Sequence, residues 1–321
     1  MPSLQEINGF RELSSPLTQA MLAPLPTQVH RLQMRSPLAD DECRQVAALL
    51  EEYPQVGLRA YGSFRSPFTD LEFLRFFPRL RHVWIDLYEL QNFDGLRHLA
   101  SELETLGLGQ FKTKRFSLRA INRFCRLQTL SVNGPAKDIE VISSLTTLRT
   151  LGLLSFRLAD LAFLQPLPEL KSLSIALGSL ADCSHLPRLS KLADLAIRRV
   201  RGVQDVAWLS AMMTLEDLWL QDLPYVQHLP DLTGLKKLRI VVLEGLKGLT
   251  DVNGLMHAQP LRQLDLLNLP TLAPESLACF RDHPVCASIR VGLCTDDRNR
   301  RAFAALGRLD EWAPVTSARR T

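Results

Sequence analysis

The stretch LADLAIRRVRGVQDVAWLSAMMTLEDLWL, residues 192–220, contains two copies of the pattern Leu-x-x-Leu-x-Leu, in which Ile or Val replaces some of the leucines. Successive copies of this pattern along the chain are 21 to 24 residues apart. A repeat of this period predicts a solenoid, in which each coil buries its apolar face against the next. The pattern begins nine times, at Leu80, Leu103, Leu127, Leu148, Leu170, Leu192, Leu215, Leu238 and Leu261.

Each repeat predicts a short parallel strand followed by a short helical turn. The three apolar residues of the pattern point inward, because side chains alternate across a strand. The second half of a coil has apolar residues three positions apart, as in Leu161, Leu164 and Leu167. This spacing favours short 3₁₀ or helical turns over full helices. The fold class is therefore α/β.

An Asp recurs immediately before the second half of the coil. A regular set of carboxylates is compatible with a metal ladder or with turn caps, in which each side chain accepts a hydrogen bond from the amides of its own turn. We favour the caps, because this is the ordinary role of Asp at the start of a turn. The residues are Asp70, Asp138, Asp160, Asp182, Asp205 and Asp251.

Both ends of the repeat are predicted to be covered, because an open coil would expose its apolar interior. We expect an N-terminal cap at residues 1–28, the solenoid at 29–294, and a capping helix with a mobile tail at 295–321. Asp40 begins an amphipathic helix in an early coil, and Gly307 ends the C-terminal helix. Further strands are expected within residues 29–34, 53–58 and 286–291.

The composition is that of a soluble folded protein. Apolar residues make up 46% and charged residues 22% of the chain, unlike a disordered protein. The net charge of +4 is spread along the chain, whereas nucleic-acid-binding domains concentrate basic residues in a stripe. The sequence lacks a signal segment and a long apolar run, and its six cysteines are scattered. We therefore expect a cytoplasmic protein without a membrane span.

The repeat resembles the short class of leucine-rich repeats found in internalins and in a phosphatase regulatory subunit, over residues 29–294. The resemblance implies a right-handed solenoid with a concave parallel sheet, and it implies binding of other macromolecules. The family usually places Asn or Cys three residues after the last signature Leu, which this chain does not. We expect apolar side chains to pack the turn there, with its backbone groups bonded to water or to each other. The residues at this position are Tyr88, Phe111, Pro135, Phe156, Gly178, Val200, Leu223, Leu246 and Leu269.

The sequence contains no motif that supports catalysis or a cofactor. Residues 107–113 match a phosphate-binding loop poorly, because the Gly required directly before Lys112 is missing. His283 lies near three cysteines, but their spacings match no zinc knuckle, and packing in the core is the favoured interpretation for the cysteines. We therefore expect neither an enzyme nor a bound metal or cofactor.

The alternate strand positions, which face the concavity, carry the candidate recognition residues. These positions are uncharged and mostly small from the coil of Leu103 to that of Leu170, whereas five of twelve are charged in the next four coils. Trp and Arg dominate the energy of interfaces, so a smooth floor edged by them predicts a binding surface. The predicted residues are Asp194, Arg198, Asp217, Trp219, Gln221, Val242, Glu244 and Asp265, with a second patch of His82, Trp84 and Asp86.

Two features of these residues have alternative interpretations. Trp84 and Trp219 would serve only to cover the sheet if each ring lay flat on its neighbours. Asp194 and Asp217 share one position in adjacent coils, so their charges should lie about 5 Å apart. Either Arg198 or a basic group of a partner would relieve that repulsion.

The leading hypothesis is non-catalytic recognition of a protein partner through the concave face. A factor that inhibits or gives immunity against a specific enzyme or toxin would use the same surface, so the sequence does not separate the two. An RNA- or phosphate-binding protein would instead use a basic cluster, whose alternative interpretation is a solvated face. The cluster comprises Lys112, Lys114, Arg115, Arg119, Arg123 and Arg126.

Overall fold

The computed structural model describes residues 8–109, 111–112, 116–134, 136–285 and 288–311. Parallel strands recur among these residues at the spacing of the repeat, and short 3₁₀ helices follow most of them. The described residues form two compact units. The first extends to Phe156 and includes Pro166–Leu170, and the second comprises Arg157–Gln165 and the residues from Lys171 onward.

The first unit contains a parallel sheet in which the strands follow each other in chain order. The register aligns the signature positions, because Val83 pairs with Leu58 of the preceding strand and with Leu106 of the following one. The strands are β1 (Phe10–Leu13), β2 (Arg31–Met34), β3 (Gly57–Gly62), β4 (His82–Leu87), β5 (Thr105–Leu108), β6 (Thr129–Asn133) and β7 (Thr150–Leu154).

The helices of the first unit lie between its strands. Helix α1 spans Gln19–Leu22 and helix α2 spans Asp40–Glu52, which confirms the predicted start at Asp40. The carboxylate of Glu42 accepts hydrogen bonds from the backbone N–H groups of Ala39 and Leu17, both at 2.8 Å. Acidic residues in a first turn also stabilise the helix dipole. Short 3₁₀ helices span Glu72–Phe76, Asp94–His98, Leu118–Arg123 and Ile139–Ser144.

The sheet begins earlier than the sequence pattern indicated. Strand β1 lies within the segment predicted to be a cap, and its Phe10 pairs with Arg31 of β2. The nearly buried Arg11 donates hydrogen bonds to the carbonyl oxygens of Met21, at 3.3 Å, and Pro24, at 3.2 Å. One guanidinium therefore fastens the loop after α1 to the first strand.

The second unit repeats this architecture. Its main sheet orders β9, β11, β12, β13, β14 and β15, all parallel, while β8 and β10 form a separate parallel pair. The strands are β8 (Arg157–Leu158), β9 (Ser172–Ala176), β10 (Ser179–Leu180), β11 (Asp194–Arg198), β12 (Asp217–Gln221), β13 (Ile240–Glu244), β14 (Gln263–Leu267) and β15 (Ile289–Gly292). Its 3₁₀ helices span Ala162–Leu164, Leu186–Arg188, Ala207–Ala211, Asn253–Leu255, Pro274–Phe280 and Leu309–Glu311.

The predicted inward positions form the core of each coil. Leu192, Leu195 and Ile197 are all buried, and the equivalent residues of the other described coils are buried in the same way. Full burial of one such side chain contributes about 1.5–3 kcal/mol. The predicted α/β class, with parallel strands and short turns, is confirmed.

The turn after the strand packs a buried apolar side chain in six of the described coils, as predicted, whereas Tyr88 is half-buried and Gly178 has no side chain. Phe156, Val200 and Leu223 are buried at this position, whereas Pro135 lies outside the described residues. The residue directly after the strand has a left-handed backbone, with φ of +60° at Leu177. Its N–H donates to the carbonyl oxygen that ends the next strand, at 3.0 Å from Leu177 to Arg198. Left-handed residues end six strands: Ser155, Leu177, Arg199, Asp222, Gly245 and Asn268.

This arrangement satisfies the turns without an Asn ladder. The N–H of Arg199 donates to Gln221 O and that of Asp222 to Glu244 O, each at 2.8 Å. We expected these backbone groups to bond either to water or to each other, and the structure shows that they bond to each other. A non-glycine residue at positive φ is strained, and the repeated hydrogen bond offsets part of that cost.

The recurring aspartates cap their own turns. Asp160 accepts a hydrogen bond from the N–H of Ala162 at 2.8 Å. Each of the other capping aspartates likewise accepts from the N–H of the residue two positions after it. The prediction is confirmed at Asp70, Asp160, Asp182, Asp205 and Asp251. Among the described residues, no group of three or more His, Cys, Asp or Glu side chains is arranged to hold a metal ion.

The capping prediction is wrong at Asp138. Its backbone is left-handed, with φ of +60°, and its carboxylate accepts a hydrogen bond from the Ser117 hydroxyl and pairs with Arg119 at 3.4 Å. Ser117 caps a turn instead, because its hydroxyl accepts from the N–H of Arg119 at 3.1 Å. The left-handed backbone of Asp138 directs its carboxylate to the preceding coil.

The C-terminal helix lies where the sequence predicts it. Helix α3 spans Asp296–Ala305, Thr295 Oγ1 accepts from the N–H of Arg298 at 3.3 Å, and Gly307 follows with φ of +73°. Strand β15 confirms the last strand from Ile289 onward. The predicted start of that strand at Cys286 and the predicted mobile tail beyond residue 311 lie outside the described residues.

Candidate recognition surface

The main sheet of the second unit buries its signature residues on one side. We call the opposite side, which carries the alternate strand residues, its open face. Its side chains form rows across the strands, because Asp194 pairs in register with Asp217 and Ala196 pairs with Trp219. The predicted alignment of the two aspartates in adjacent coils is therefore confirmed. The rows are Ser172, Asp194, Asp217, Ile240 and Gln263; Ser174, Ala196, Trp219, Val242 and Asp265; and Ala176, Arg198, Gln221, Glu244 and Leu267.

Trp219 projects from the middle of this face. Its side chain is 37% exposed, and the guanidinium of Arg198 lies 4.8 Å from the ring centroid. A second contact, 3.4 Å from Arg198 Nη2 to Ser174 Oγ, holds the guanidinium in place. Its Nε atom is buried without a hydrogen-bond acceptor among the described residues. Arg198 therefore lies on the indole and covers part of it.

Asp194 and Asp217 lie beside each other, and the described cation that acts on them, Arg239, lowers the pKa of Asp217 but forms its ion pair with Glu216. Burial and the charge of Asp217 raise the pKa of Asp194, and burial and the charge of Glu216 raise the pKa of Asp217. Within the described residues, neither carboxylate accepts a hydrogen bond or forms an ion pair. Arg198, which we expected to relieve their repulsion, contacts Trp219 instead. A cation from outside the chain would therefore stabilise both charges.

A shallow depression of about 210 Å³ lies between these residues. Asp194 and Asp217 lie in its lining, Trp219 and Val242 provide apolar walls, and Ala196 provides a small side chain. We call this feature the acidic depression. It combines two unpaired carboxylates with apolar surface, and its residues all belong to the second unit.

Asp265 was predicted to be an exposed recognition residue, and the structure corrects this. It is only 3% exposed, because Arg290 of the next strand covers it, with Arg290 Nε 2.6 Å from Asp265 Oδ1. The Nε2 of Gln263 also donates to this carboxylate, at 3.0 Å. Arg290 is the exposed group at this point of the face. Its place at the middle open-face position of β15 could have revealed this pair in the sequence.

The three other predicted residues of the open face remain half-buried within it. Gln221 and Glu244 lie side by side in the row of Arg198, and Val242 lies beside Trp219. These residues form one continuous surface with the acidic depression.

The first-unit patch, predicted at His82, Trp84 and Asp86, is organised differently. A Cβ atom added to Gly57 or Gly107 would lie 2.4 Å or 2.3 Å from the Trp84 ring, so the indole lies flat across both glycines. The interpretation of a tryptophan that covers the sheet is therefore correct for Trp84. His82 Nδ1 lies 3.0 Å from Thr105 Oγ1, and burial lowers the pKa of His82.

The charges of the first-unit patch are paired within the chain. Arg59 Nε donates to Asp86 at 2.5 Å, and Arg59 Nη1 donates to Gln33 Oε1 at 2.9 Å. Sequence reasoning missed Arg59, although it lies at an open-face position beside Trp84. Of the two predicted patches, the one in the second unit carries the unpaired carboxylates.

Two of the four described cations of the basic cluster are paired with carboxylates. Lys112 pairs with Glu89 at 3.1 Å, and Arg119 pairs with Asp138. Arg123 Nη1 donates to a backbone carbonyl oxygen, that of Arg97, at 2.7 Å. Lys114 and Arg115 lie outside the described residues. These contacts weaken the case for phosphate binding at this cluster.

The described cysteines that lie in the core are unreactive. Burial raises the pKa of Cys43 to about 11 and that of Cys183 to about 12, so both thiols stay protonated at neutral pH. Cys294 contacts Asn268 Oδ1, and Cys286 lies outside the described residues. None of the helices in the described part of the chain combines the length and hydrophobicity needed to cross a bilayer.

Comparison with known proteins defines the class of fold. No protein-family model and no curated protein sequence matches the chain. An internalin from Listeria monocytogenes is similar over 88% of this chain and 78% of its own, with a TM-score of 0.57 and 17% identity. A Leptospira interrogans leucine-rich-repeat protein covers 88% of this chain and 91% of its own, with a TM-score of 0.45 and 14% identity. The chain has the leucine-rich-repeat fold, as its repeat predicts.

Proposed function

We propose that this protein is a non-catalytic recognition module that binds a protein partner through the open face of the second unit. The observation that carries the proposal is the acidic depression beside the exposed Trp219. Partly exposed tryptophan and arginine side chains next to small residues are typical of binding hot spots. The depression is shallow, which suits a macromolecular surface better than a small substrate.

The rigidity of the surface also supports this function. Its side chains stand on hydrogen-bonded parallel strands in regular register, and Arg198 is held by Trp219 and Ser174. A surface that is ordered before binding loses little conformational entropy when the partner docks. The first-unit patch would contribute shape rather than charge, because Asp86 is already paired.

We also propose a cytoplasmic location for this activity. Five described cysteines are free thiols, which suits a reducing compartment. A scaffold and a factor that blocks an enzyme or toxin would use the same surface. Assaying the activity of a captured enzyme with and without this protein would separate these roles.

The test compares quantitative capture from source-cell lysate by the wild type and by a Trp219→Ala, Asp217→Lys variant. We expect one stoichiometric protein that the wild type retains and the variant loses. A Glu102→Lys variant, changed at an exposed residue of the first unit, controls for charge. Circular dichroism and thermal unfolding establish that each variant is folded. Equal capture by the wild type and the folded double variant would contradict the site.

A further inference from the structure

We propose that the acidic depression receives a cationic side chain, a lysine ammonium or an arginine guanidinium, from a polypeptide partner. The inference rests on the proposed function and specifies the chemistry of its partner. It locates the cation between Asp194 and Asp217 and its aliphatic stem beside Trp219.

The first step of the argument is electrostatic. Asp194 and Asp217 are in register on adjacent strands, whose spacing is about 4.8 Å. Glu216 adds negative charge, and its nearby cation, Arg239, is paired with it at 3.2 Å. Arg198 lies on Trp219. Two carboxylates therefore face one depression, and among the described residues neither forms an ion pair or accepts a hydrogen bond.

The second step is a comparison with the other open-face aspartates. Asp86 is paired with Arg59 of the preceding strand, and Asp265 is paired with Arg290 of the following one. In both cases an arginine from an adjacent strand reaches the carboxylate across the sheet. In each unit, an open-face aspartate is thus satisfied by an arginine of the same chain. No described arginine pairs in this way with Asp194 or Asp217, because Arg239, the cation near them, is paired with Glu216. A cationic group of a partner can therefore take that place.

The third step concerns shape. Lysine and arginine carry aliphatic stems that pack on apolar surface while the charged head stays in a polar site. Ala196 leaves room for such a stem, and Trp219 and Val242 flank it. A bare metal ion would find few oxygen ligands here, whereas calcium needs six to eight. The combination of apolar walls and two adjacent carboxylates fits an organic cation.

The experiment selects short random peptides displayed on phage against the intact protein. Enriched peptides are synthesised, and their affinities are measured by fluorescence anisotropy. We expect the peptides to share a lysine or arginine. Replacing that residue by norleucine or citrulline should weaken binding at least about tenfold, and an Asp194→Asn, Asp217→Asn variant should weaken binding similarly. The neutralised peptide should no longer distinguish the variant from the wild type, which is the signature of direct coupling.

A matched variant separates local pairing from general charge. Glu102→Gln, Glu140→Gln removes the same two negative charges from exposed residues of the first unit and should leave binding unchanged. Peptides that lose affinity for Trp219→Ala but keep it for Asp194→Asn, Asp217→Asn would overturn this inference and leave the proposed function standing. A selection without any peptide that depends on Trp219 or on the two aspartates would overturn both.

Discussion

Trp84 and Trp219 occupy the same position of their strands, and the neighbouring residues decide how each ring lies. Trp84 has Arg59 and Gly107 at the same position of the adjacent strands, and its indole lies flat over Gly107 and over Gly57, two residues before Arg59. Trp219 has Ala196 and Val242 on either side and projects further. The two glycines under the Trp84 ring thus let that indole lie flat, whereas Trp219 has a Cβ atom on both neighbours and projects from the sheet.

This explanation predicts that Gly107→Ala destabilises the protein by about 1–3 kcal/mol, because the new Cβ would overlap Trp84. Gly152→Ala is the matched control, since its Cβ would meet Ser131 Oγ at 3.3 Å. The measurement is urea unfolding followed by tryptophan fluorescence. In a Trp84→Ala background the cost of Gly107→Ala should disappear. An equal cost with and without Trp84 would contradict the explanation.

Because His283 is buried, we predict that the protein loses stability in mild acid. It is only 7% exposed, its Nδ1 accepts from the N–H of Val285 at 3.1 Å, and burial lowers its pKa. The unfolded chain therefore binds the proton more readily than the folded chain. Stability is present above the ordinary imidazole pKa of about 6.5 and is lost as the pH falls through that value toward the lower folded pKa.

The measurement is the urea midpoint between about pH 7 and pH 5. His283→Gln should reduce the pH dependence, and the remainder should include His82, whose pKa is also lowered by burial. His30→Gln, at an exposed position of the first unit, is the control and should behave as the wild type does. The prediction fails if His283→Gln leaves the slope unchanged.

At the scale of the element, one arginine attaches the C-terminal helix to the sheet. Arg298 of α3 donates to the carbonyl oxygens of Leu293, at 3.1 Å, Leu269, at 3.3 Å, and Leu272, at 2.5 Å. Carbonyl oxygens at the end of a repeat have no following coil to supply donors. The guanidinium provides several donors at fixed angles, which makes it suited to this end of the sheet.

Arg298→Ala should therefore cost about 1–3 kcal/mol, because it leaves these carbonyl oxygens without their donor. Arg298→Lys should recover only part of the loss, since an ammonium does not reproduce the planar fork. Arg300→Ala is the control on the same helix, where the side chain pairs with Asp297 at 3.0 Å and is exposed. Thermal unfolding measures all three, and equal losses for Arg298→Ala and Arg300→Ala would refute the role.

The regular elements were predictable because each depends on residues close in sequence. The Leu-x-x-Leu-x-Leu pattern determines the strands, and Asp160 caps a turn two residues away. The errors arose where contacts span a whole coil. Asp265 is covered by Arg290, 25 residues further on, and Asp138 contacts Ser117 of the preceding coil. Strand β1 escaped notice because Phe10–Leu13 is too short to show the repeat.

The candidate site was predictable as a surface but not as a set of paired and unpaired charges. Alternation along the strand identified Asp194, Asp217 and Trp219 correctly as open-face residues. The sequence could not show that Arg198 lies on the indole rather than near the acids. That choice depends on side-chain conformation across two strands, which no local pattern encodes.

At the scale of the whole molecule, the open face of the second unit keeps two carboxylates that lower the stability of the fold at neutral pH. The pKa values of Asp194 and Asp217 are raised, so their ionisation disfavours the folded state. The contribution of the two carboxyl groups to the free energy of unfolding is most favourable below the ordinary Asp pKa of 3.8. It is lost as the pH rises through their raised pKa values in the folded state. Functional sites commonly retain such a cost.

Asp194→Asn, Asp217→Asn should therefore be more stable than the wild type at neutral pH, while it loses the binding proposed above. The difference in urea midpoint should shrink as the pH falls toward about 4. Glu102→Gln, Glu140→Gln serves again as the charge-matched control and should show little change. A double Asn variant that is less stable than the wild type at neutral pH would contradict the claim that the two ionised carboxylates destabilise the folded state.

The left-handed residues that follow the strands of the second unit give the gene a natural unit of change. Their N–H groups bond to the next coil in the same way at Leu177, Arg199 and Asp222, so these junctions are alike. Deleting residues 194–216 would bring Asp217 beside Ser172 in the register that Asp194 holds now. Val203-Gln204 and Val226-Gln227 also fall at equivalent places in the two neighbouring coils. Unequal recombination could thus add or remove one strand of the open face at a time, and the aligned Asp194 and Asp217 have the arrangement that a tandem duplication would leave.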